Sequence, residues 1–170
     1  MSTPRPYVDE QARAALDAIE LPISVTSAVR GRDGRLLDFR MEDVNVAAAT
    51  WLGVDRDLVR GQLATELVPG LRSTGLFDRL EEVVRTGVAF CERGIHYEGD
   101  VGDGRRFSAT FDLAAERLGD GYLSAWREHG NGALTSDLGE TLRRLCEAIP
   151  VVRLEARAAG PAGLRLRPAT

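Results

Sequence analysis

The hydrophobic positions near the N-terminus follow two periods, first that of a helix and then that of a strand. Asp9 is placed to cap a short amphipathic helix. The apolar stripe of this helix consists of Val8, Ala12, Ala15, Leu16 and Ile19. A half-buried strand follows, with alternating positions at Ile23, Val25, Ser27 and Val29. After a glycine-containing turn at residues 31–34, a second strand points Leu37, Phe39 and Met41 to one side. The two strands are therefore predicted to form a hairpin with one face in water.

The middle of the chain is predicted to be helical. Asn45 is a suitable N-cap for a short helix that ends at Gly53, and residues 55–71 read as short helical turns and loop. Ser73 or Thr74 is placed to cap a longer helix that Gly87 ends. The apolar stripe of that longer helix consists of Leu76, Phe77, Leu80, Val83 and Val84.

Three strands are predicted next, over residues 89–98, 105–116 and 122–128. The middle strand has one apolar set, Phe107, Ala109, Phe111 and Leu113. It alternates with a polar set, Ser108, Thr110 and Asp112, which is predicted to face water. Two strands, a helical segment and three strands fit an α+β fold in which a five-stranded antiparallel sheet carries its helices on one face.

A second amphipathic helix is predicted near the C-terminus, capped by Ser136 or Asp137. Its near-heptad seam consists of Leu138, Leu142, Leu145 and Ile149. The chain thus divides into an N-terminal helical extension (1–21), the sheet domain (22–130), this helix (131–150) and a flexible tail (151–170). The two terminal helices either form a homodimer through their apolar seams or fold back on their own domain.

Composition narrows the possible classes of function. The formal net charge of −4 argues against a protein dedicated to nucleic acid, and the absence of lysine excludes a Schiff-base enzyme. Neither a secretory signal nor a membrane-spanning stretch is apparent, so we expect a cytoplasmic protein without membrane contact. Cys91 and Cys146 lie far apart and are expected to be buried thiols rather than a disulfide or a metal site.

Several segments, taken in order, resemble a PAS sensor domain over residues 10–130. They are Ile23-Ser-Val25, Arg32-Asp-Gly-Arg-Leu-Leu-Asp-Phe39, Asn45-Val-Ala-Ala-Ala-Thr-Trp-Leu-Gly53, Leu58-Val-Arg-Gly61, the Leu76-Phe77 helix, Asp103-Gly-Arg-Arg-Phe107 and Leu118-Gly-Asp-Gly-Tyr-Leu-Ser-Ala-Trp-Arg127. The resemblance implies a sheet and helices around a small pocket that binds a ligand or cofactor, or a domain that dimerises, and that passes the change to a partner. The chain departs from many PAS domains after the last strand, where Arg127-Glu-His-Gly130 stands in place of an Arg-Asp-Ile-Thr-like motif.

Two cofactor classes of the family lack the residues that they need. A flavin photosensor needs a cysteine in the helical middle, and residues 55–71 contain none. Haem-binding relatives use a histidine on the long helix, and residues 76–87 contain none. His96 is expected on the polar face of a strand, and His129 is expected to be a solvated residue at the domain boundary.

An enzymatic alternative is a small isomerase or cyclase, because the same kind of pocket suits acid/base chemistry. Its candidate acid/base set is Asp112, Glu92, His96 and Tyr97. The favoured interpretation is a bacterial regulatory PAS module that is not an enzyme, that binds a small apolar ligand or contacts other proteins, and that regulates a partner protein in trans. The predicted pocket residues are Phe39, Met41, Leu80, Val84, Phe107, Phe111 and Trp126.

Overall fold

The computed structural model describes residues 5–130, 138–148 and 152–155. The strands are β1 (Arg5–Val8), β2 (Ile23–Arg30), β3 (Leu36–Val44), β4 (Phe90–Val101), β5 (Arg105–Arg117), β6 (Gly121–Glu128) and β7 (Val152–Glu155). The helices are α1 (Glu10–Asp17), α2 (Val46–Leu52), α3 (Arg56–Val59), α4 (Ala64–Leu67), α5 (Leu76–Thr86) and α6 (Leu138–Ala148). A 3-10 turn at Pro69–Leu71 lies between α4 and α5. None of the helices within these ranges is long and apolar enough to cross a membrane.

Five strands form one antiparallel sheet in the order β3-β2-β6-β5-β4. Two hairpin strands, a helical segment and three further strands follow one another in the chain, and the helical segment packs across one face of the sheet. The predicted α+β fold class is therefore confirmed.

Local sequence signals account for the ends of the helices. Asn45 caps α2 by accepting the N–H of Ala48, and Gly53 ends α2 in the left-handed conformation at φ 66°. The predicted cap of α5 is wrong, because Gly75 precedes the helix and no side chain caps it. The hydroxyls of Ser73 and Thr74 instead donate to the Gly70 carbonyl.

One strand position also differs from the prediction. Leu37 is 51% exposed, although alternation places it on the buried side with Phe39. The pairing of β2 with β3 shifts register next to this position, because Val29 faces Asp38 while Arg30 faces Leu36. This bulge interrupts the alternation, so Leu36 packs against the core in place of Leu37.

The sheet is covered on both faces at its centre. We call the face toward α2–α5 the inner face and the face toward α1 and α6 the outer face. The inner core includes Phe39, Phe77 and Tyr122, and the outer core joins Leu16 of α1 and Leu142 of α6 to the sheet. The outer core also contains Ile23, Val25, Ala114, Leu123 and Ala125.

The outer core bears on two predictions. The first half of β2 is buried on both sides, from Ile23 to Ser27, so the prediction of a half-buried strand is wrong for this segment.

Leu16 and Leu142 are each 1% exposed, because the terminal helices fold back on their own domain. Exposed seams therefore no longer argue for a dimer through these residues, and the homodimer stays a prediction. Ile149, the last position of the predicted seam, lies outside the described residues, as do the predicted caps Ser136 and Asp137.

The terminal segments contain strands that the sequence analysis did not predict. β1 pairs antiparallel with β7, so that Arg5 lies opposite Glu155 and Val8 opposite Val152. The N-cap at Asp9 starts α1 at Glu10, which leaves Val8 in the strand rather than in the helix. Residues 152–155, which form β7, belong to the segment that was predicted to be a flexible tail. Local sequence patterns do not predict backbone pairing between residues that lie 144 to 150 positions apart.

Candidate ligand-binding cavity

A cavity of about 120 Å³ lies between the inner face of the sheet and the helical segment. Its wall takes residues from β2, β3, β4, β5 and β6, and from α2, α4, the 3-10 turn and α5. The described residues that line it include no charged side chain, cysteine or histidine. The cavity is therefore an apolar compartment inside an otherwise packed domain.

The structure places five of the seven predicted pocket residues in this wall. They are Met41, Leu80, Phe107, Phe111 and Trp126. The other two lie elsewhere in the core. Phe39 packs against Phe77 and Tyr122, with ring centroids 5.2 and 4.9 Å apart, and Val84 borders a separate surface cleft. That these lining residues bind a ligand stays a prediction.

Trp51 is the main aromatic contact that the sequence analysis missed. Its ring centroid lies 4.9 Å from that of Phe107, 5.6 Å from that of Phe111 and 5.9 Å from that of Trp126. The residue is on α2, at the position before Leu52, which also lines the cavity. The helical period of α2 from its Asn45 cap was the available signal, but a seven-residue helix carries too few positions to define a face.

Tyr97 joins the sheet to the helical cover. Its hydroxyl donates to the Asp100 carbonyl at 2.7 Å and accepts the Gly70 N–H at 3.2 Å. The ring fits only because two neighbours are glycines: a Cβ on Gly70 would lie 2.7 Å from the ring, and one on Gly99 would lie 2.8 Å from the hydroxyl. Tyr97 therefore closes the cavity wall between β4 and the 3-10 turn.

Two serines form the polar part of the wall. Ser24 of β2 and Ser124 of β6 face each other in the ladder, and their Oγ atoms are 2.6 Å apart. Each serine is 4% exposed. Trp126 lies two residues further along β6 on the same face, and its buried Nε1 has no acceptor among the described residues. Burial raises the pKa of Tyr122 above its ordinary value, so this phenol stays neutral.

The predicted acid/base set does not come together. Glu92 pairs with Arg79, exposed His96 contacts Thr110 at 3.0 Å, and Tyr97 is engaged as described above. Asp112 lies on the outer face, away from the cavity. It was predicted to face water, but it is only 5% exposed.

Asp112 is buried because a polar cluster surrounds it. Its carboxylate accepts hydrogen bonds from Gly94 N–H (3.0 Å), Arg127 Nε (3.3 Å) and His129 Nδ1 (2.6 Å). Desolvation alone would raise the pKa of Asp112, but the hydrogen bonds from His129, Gly94 and Arg127 outweigh it and lower that pKa. His129 was predicted to be solvated; its side chain is 48% exposed and is tied to this carboxylate. The β4 bulge around residues 93–94 brings the Gly94 N–H to the cluster.

Cys91, which the sequence analysis expected to be buried, is exposed at the start of β4. The side chain of Cys146 lies outside the described residues. β4 is an edge strand, and its residues 91–94 alternate only partly. Because an edge strand has a neighbouring strand on one side only, the thiol of Cys91 can be exposed to solvent.

The chain resembles several solved structures. A domain of a sensory box sensor histidine kinase/response regulator from Geobacter sulfurreducens is 22% identical, with a TM-score of 0.49, over 69% of this chain and 91% of that chain. A PAS domain from Colwellia psychrerythraea is 18% identical, with a TM-score of 0.47, over 70% and 94%. The PAS domain of a LuxR-family transcriptional regulator from Burkholderia thailandensis, solved in complex with ethanol, is 14% identical, with a TM-score of 0.47, over 71% and 97%.

No family model and no curated protein matches the chain. Its five-stranded antiparallel sheet and the helical segment between the second and third of those strands agree with the sheet and helices that the resemblance implied. The fold is the α+β arrangement that the resemblance to PAS domains led us to expect.

Proposed function

We propose that the protein is a sensory module that binds a small neutral molecule in the cavity and passes its occupancy to a partner protein through the terminal elements. The observation that carries this proposal is the apolar cavity of about 120 Å³ in the inner core. Protein interiors are packed as densely as organic crystals, and an unfilled cavity costs about 24 cal/mol per Å³, or about 3 kcal/mol here. A ligand that fills the cavity recovers part of that free energy.

A contiguous route leads from the cavity to α1. Trp51 and Leu52 of α2 line the cavity, and Asn45 at the start of α2 donates to the carbonyls of Leu16 and Ile19 at 3.0 and 3.2 Å. Arg56, which begins α3, pairs with Asp17 at the end of α1 at 2.6 Å. A shift of α2 on ligand binding therefore changes contacts that hold α1 in place.

A second route crosses the sheet. Ser24 and Ser124 line the cavity on the inner face, while their neighbours Val25 and Leu123 belong to the outer core with α1 and α6. A ligand that alters the spacing of β2 and β6 also changes how these strands pack against α1 and α6, because their side chains alternate between the cavity and the outer core. The enzymatic alternative has no comparable support, because its four candidate residues are dispersed over both faces of the sheet.

Benzene is a suitable probe, because apolar cavities of about 150 Å³ bind it. We expect benzene to bind the wild-type protein in saturation-transfer NMR and to increase amide exchange protection in α1 and α6. Ala64→Leu should block binding, because Ala64 lines the cavity and is 4% exposed. Ala89→Leu, the same substitution at an exposed position, is the matched control and should bind as the wild type does.

The two parts of the proposal fail separately. If neither benzene nor cyclopentanone, a ketone of about the same size, binds the wild type or Ala89→Leu, the cavity is not a ligand site. If benzene binds but leaves exchange in α1 and α6 unchanged, ligand binding stands and the proposed route to the terminal helices is wrong.

A further inference from the structure

The serine pair distinguishes one part of the cavity wall from the rest. Ser24 and Ser124 occupy directly opposed positions on β2 and β6, with their Oγ atoms 2.6 Å apart. Both line the cavity, whose other described residues are apolar or aromatic. Hydrophobic packing does not need two hydroxyls at this place, and alanine would fit either position.

The two hydroxyls carry two protons, but the hydrogen bond between them engages only one of these protons. Each serine hydroxyl carries one O–H donor and two acceptor lone pairs. One hydroxyl donates to the other, and within the described part of the chain neither hydroxyl forms another hydrogen bond, to a side chain or to the backbone. The second hydroxyl proton is therefore left without an acceptor. A buried hydroxyl that lacks a hydrogen bond is unfavourable, so this proton requires an oxygen or nitrogen acceptor from a molecule in the cavity.

The wall also limits the charge and size of that molecule. An ion is excluded, because the described lining residues offer no charged partner to offset its desolvation. A volume of about 120 Å³ admits a molecule no larger than benzene, with roughly six non-hydrogen atoms.

We propose that the natural ligand is a compact neutral molecule whose single carbonyl or hydroxyl oxygen accepts the spare proton of the Ser24–Ser124 pair. Its remaining atoms lie against the apolar wall formed by Met41, Leu80 and Phe111. This inference rests on the proposed function and specifies the ligand class of the same cavity. A pure hydrocarbon is a poorer ligand, because it leaves the hydroxyl proton unpaired.

The test compares two probes of nearly equal shape, cyclopentanone and methylenecyclopentane, which differ by an oxygen in place of a CH₂ group. Their dissociation constants are measured by NMR titration on the wild type and on Ser24→Ala/Ser124→Ala. The solvation of the free probes cancels when the ratio of the two constants is compared between proteins. We expect the preference for the ketone to fall by about fivefold in the double variant, the effect of one lost neutral hydrogen bond.

Two further variants sharpen the test. Ser24→Ala alone should keep the ketone preference, because the remaining Ser124 hydroxyl then donates to the ligand. Thr26→Val is the matched control: Thr26 is fully buried on the same strand and donates to the Tyr122 carbonyl at 3.1 Å, but it does not line the cavity. Its loss should leave the preference unchanged. Far-UV circular dichroism verifies that each variant is folded. If the double variant does not fold, Ser24→Cys/Ser124→Cys replaces it, because its thiols are similar in size to the hydroxyls but are weak donors, and it should lose the ketone preference as well.

The outcomes separate the two proposals. If both probes bind and the preference for the ketone is the same in the wild type and the double variant, the serine pair does not donate to the ligand oxygen. This inference is then wrong, while the proposed function stands. An equal loss of preference in Ser24→Ala and Thr26→Val also contradicts it, because it indicates a general effect of buried hydroxyls. If neither probe binds the wild type, the proposed function fails and this inference fails with it.

Discussion

Asn45 makes more buried contacts than an ordinary helix cap. Its Oδ1 accepts the N–H groups of Ile23 and Ala48, and its Nδ2 donates to the carbonyls of Leu16, Ile19 and Leu21. The side chain is fully buried. We expect Asn45→Ala to lower the free energy of unfolding by about 3 kcal/mol or more, because it leaves several buried backbone groups unpaired. Urea unfolding followed by circular dichroism measures this loss.

Asp55 supplies the control for that prediction. It caps α3 by accepting the Asp57 N–H at 2.9 Å, but it is exposed. Asp55→Ala should cost only about 1 kcal/mol, since water replaces the lost hydrogen bond. Equal losses in the two variants would mean that Asn45 acts as a simple cap and that its link to α1 contributes nothing.

At the scale of residues, the sequence predicts what depends on near neighbours. The cap at Asn45 follows from the residues that it precedes, and five cavity residues follow from strand and helix periodicity. The carbonyls that Asn45 holds lie 24 to 29 positions earlier in the chain, so no local pattern indicates them. Ser24 and Ser124 were missed for a related reason: with both faces of β2 buried, the alternation of polar and apolar residues does not tell which face lines a cavity.

At the scale of elements, the terminal helices act as the cover of the outer face. Leu142 of α6 is 1% exposed and belongs to the same core as Leu16 and Val25. We expect Leu142→Ala to lower the free energy of unfolding by about 2–5 kcal/mol, the range for a buried leucine replaced by alanine. Leu58→Ala, at a position 70% exposed, should change it by less than about 0.5 kcal/mol. Thermal or urea unfolding measures both.

Protein concentration distinguishes the two origins of this burial. If α6 covers its own sheet, the unfolding midpoint of the wild type is independent of concentration, whereas a seam covered by a second copy makes it rise with concentration. A small effect of Leu142→Ala together with a concentration-dependent midpoint would contradict the packing described here. Periodicity identified both terminal helices but not their location, because the same apolar seam fits a partner helix or the chain's own sheet.

At the scale of the whole molecule, the two faces of the sheet have different chemistry. The inner face encloses an apolar cavity whose wall contains a pair of serine hydroxyls, and the outer face combines an apolar core with the Asp112 cluster at the point where the chain leaves β6. The cluster joins the β4 bulge, β5 and the residues after β6. It therefore holds the chain in place where β6 ends, at Arg127 to His129.

The charge of Asp112 makes the stability of the whole domain depend on pH. Because its pKa is lower in the folded state than the ordinary value of 3.8, the unfolded chain binds a proton first as the pH falls. The contribution of Asp112 is thus fully present above that ordinary value and is lost as the pH falls through the folded pKa. Asp112→Asn should cost about 2 kcal/mol at pH 7, the scale of hydrogen bonds to a charged group, and the difference from the wild type should shrink in acid.

Urea unfolding at a series of pH values from 7 to 2 measures this difference. Asp33→Asn is the control, because Asp33 is an exposed turn residue whose substitution should change stability by less than about 0.5 kcal/mol at pH 7. A difference between Asp112→Asn and the wild type that stays constant into acid would contradict the role of the ionised carboxylate, and would mean that the cluster acts through shape alone. A difference that disappears in acid would tie the anchoring of the β6 exit to a single buried charge, set apart by the full thickness of the sheet from the cavity on the other face.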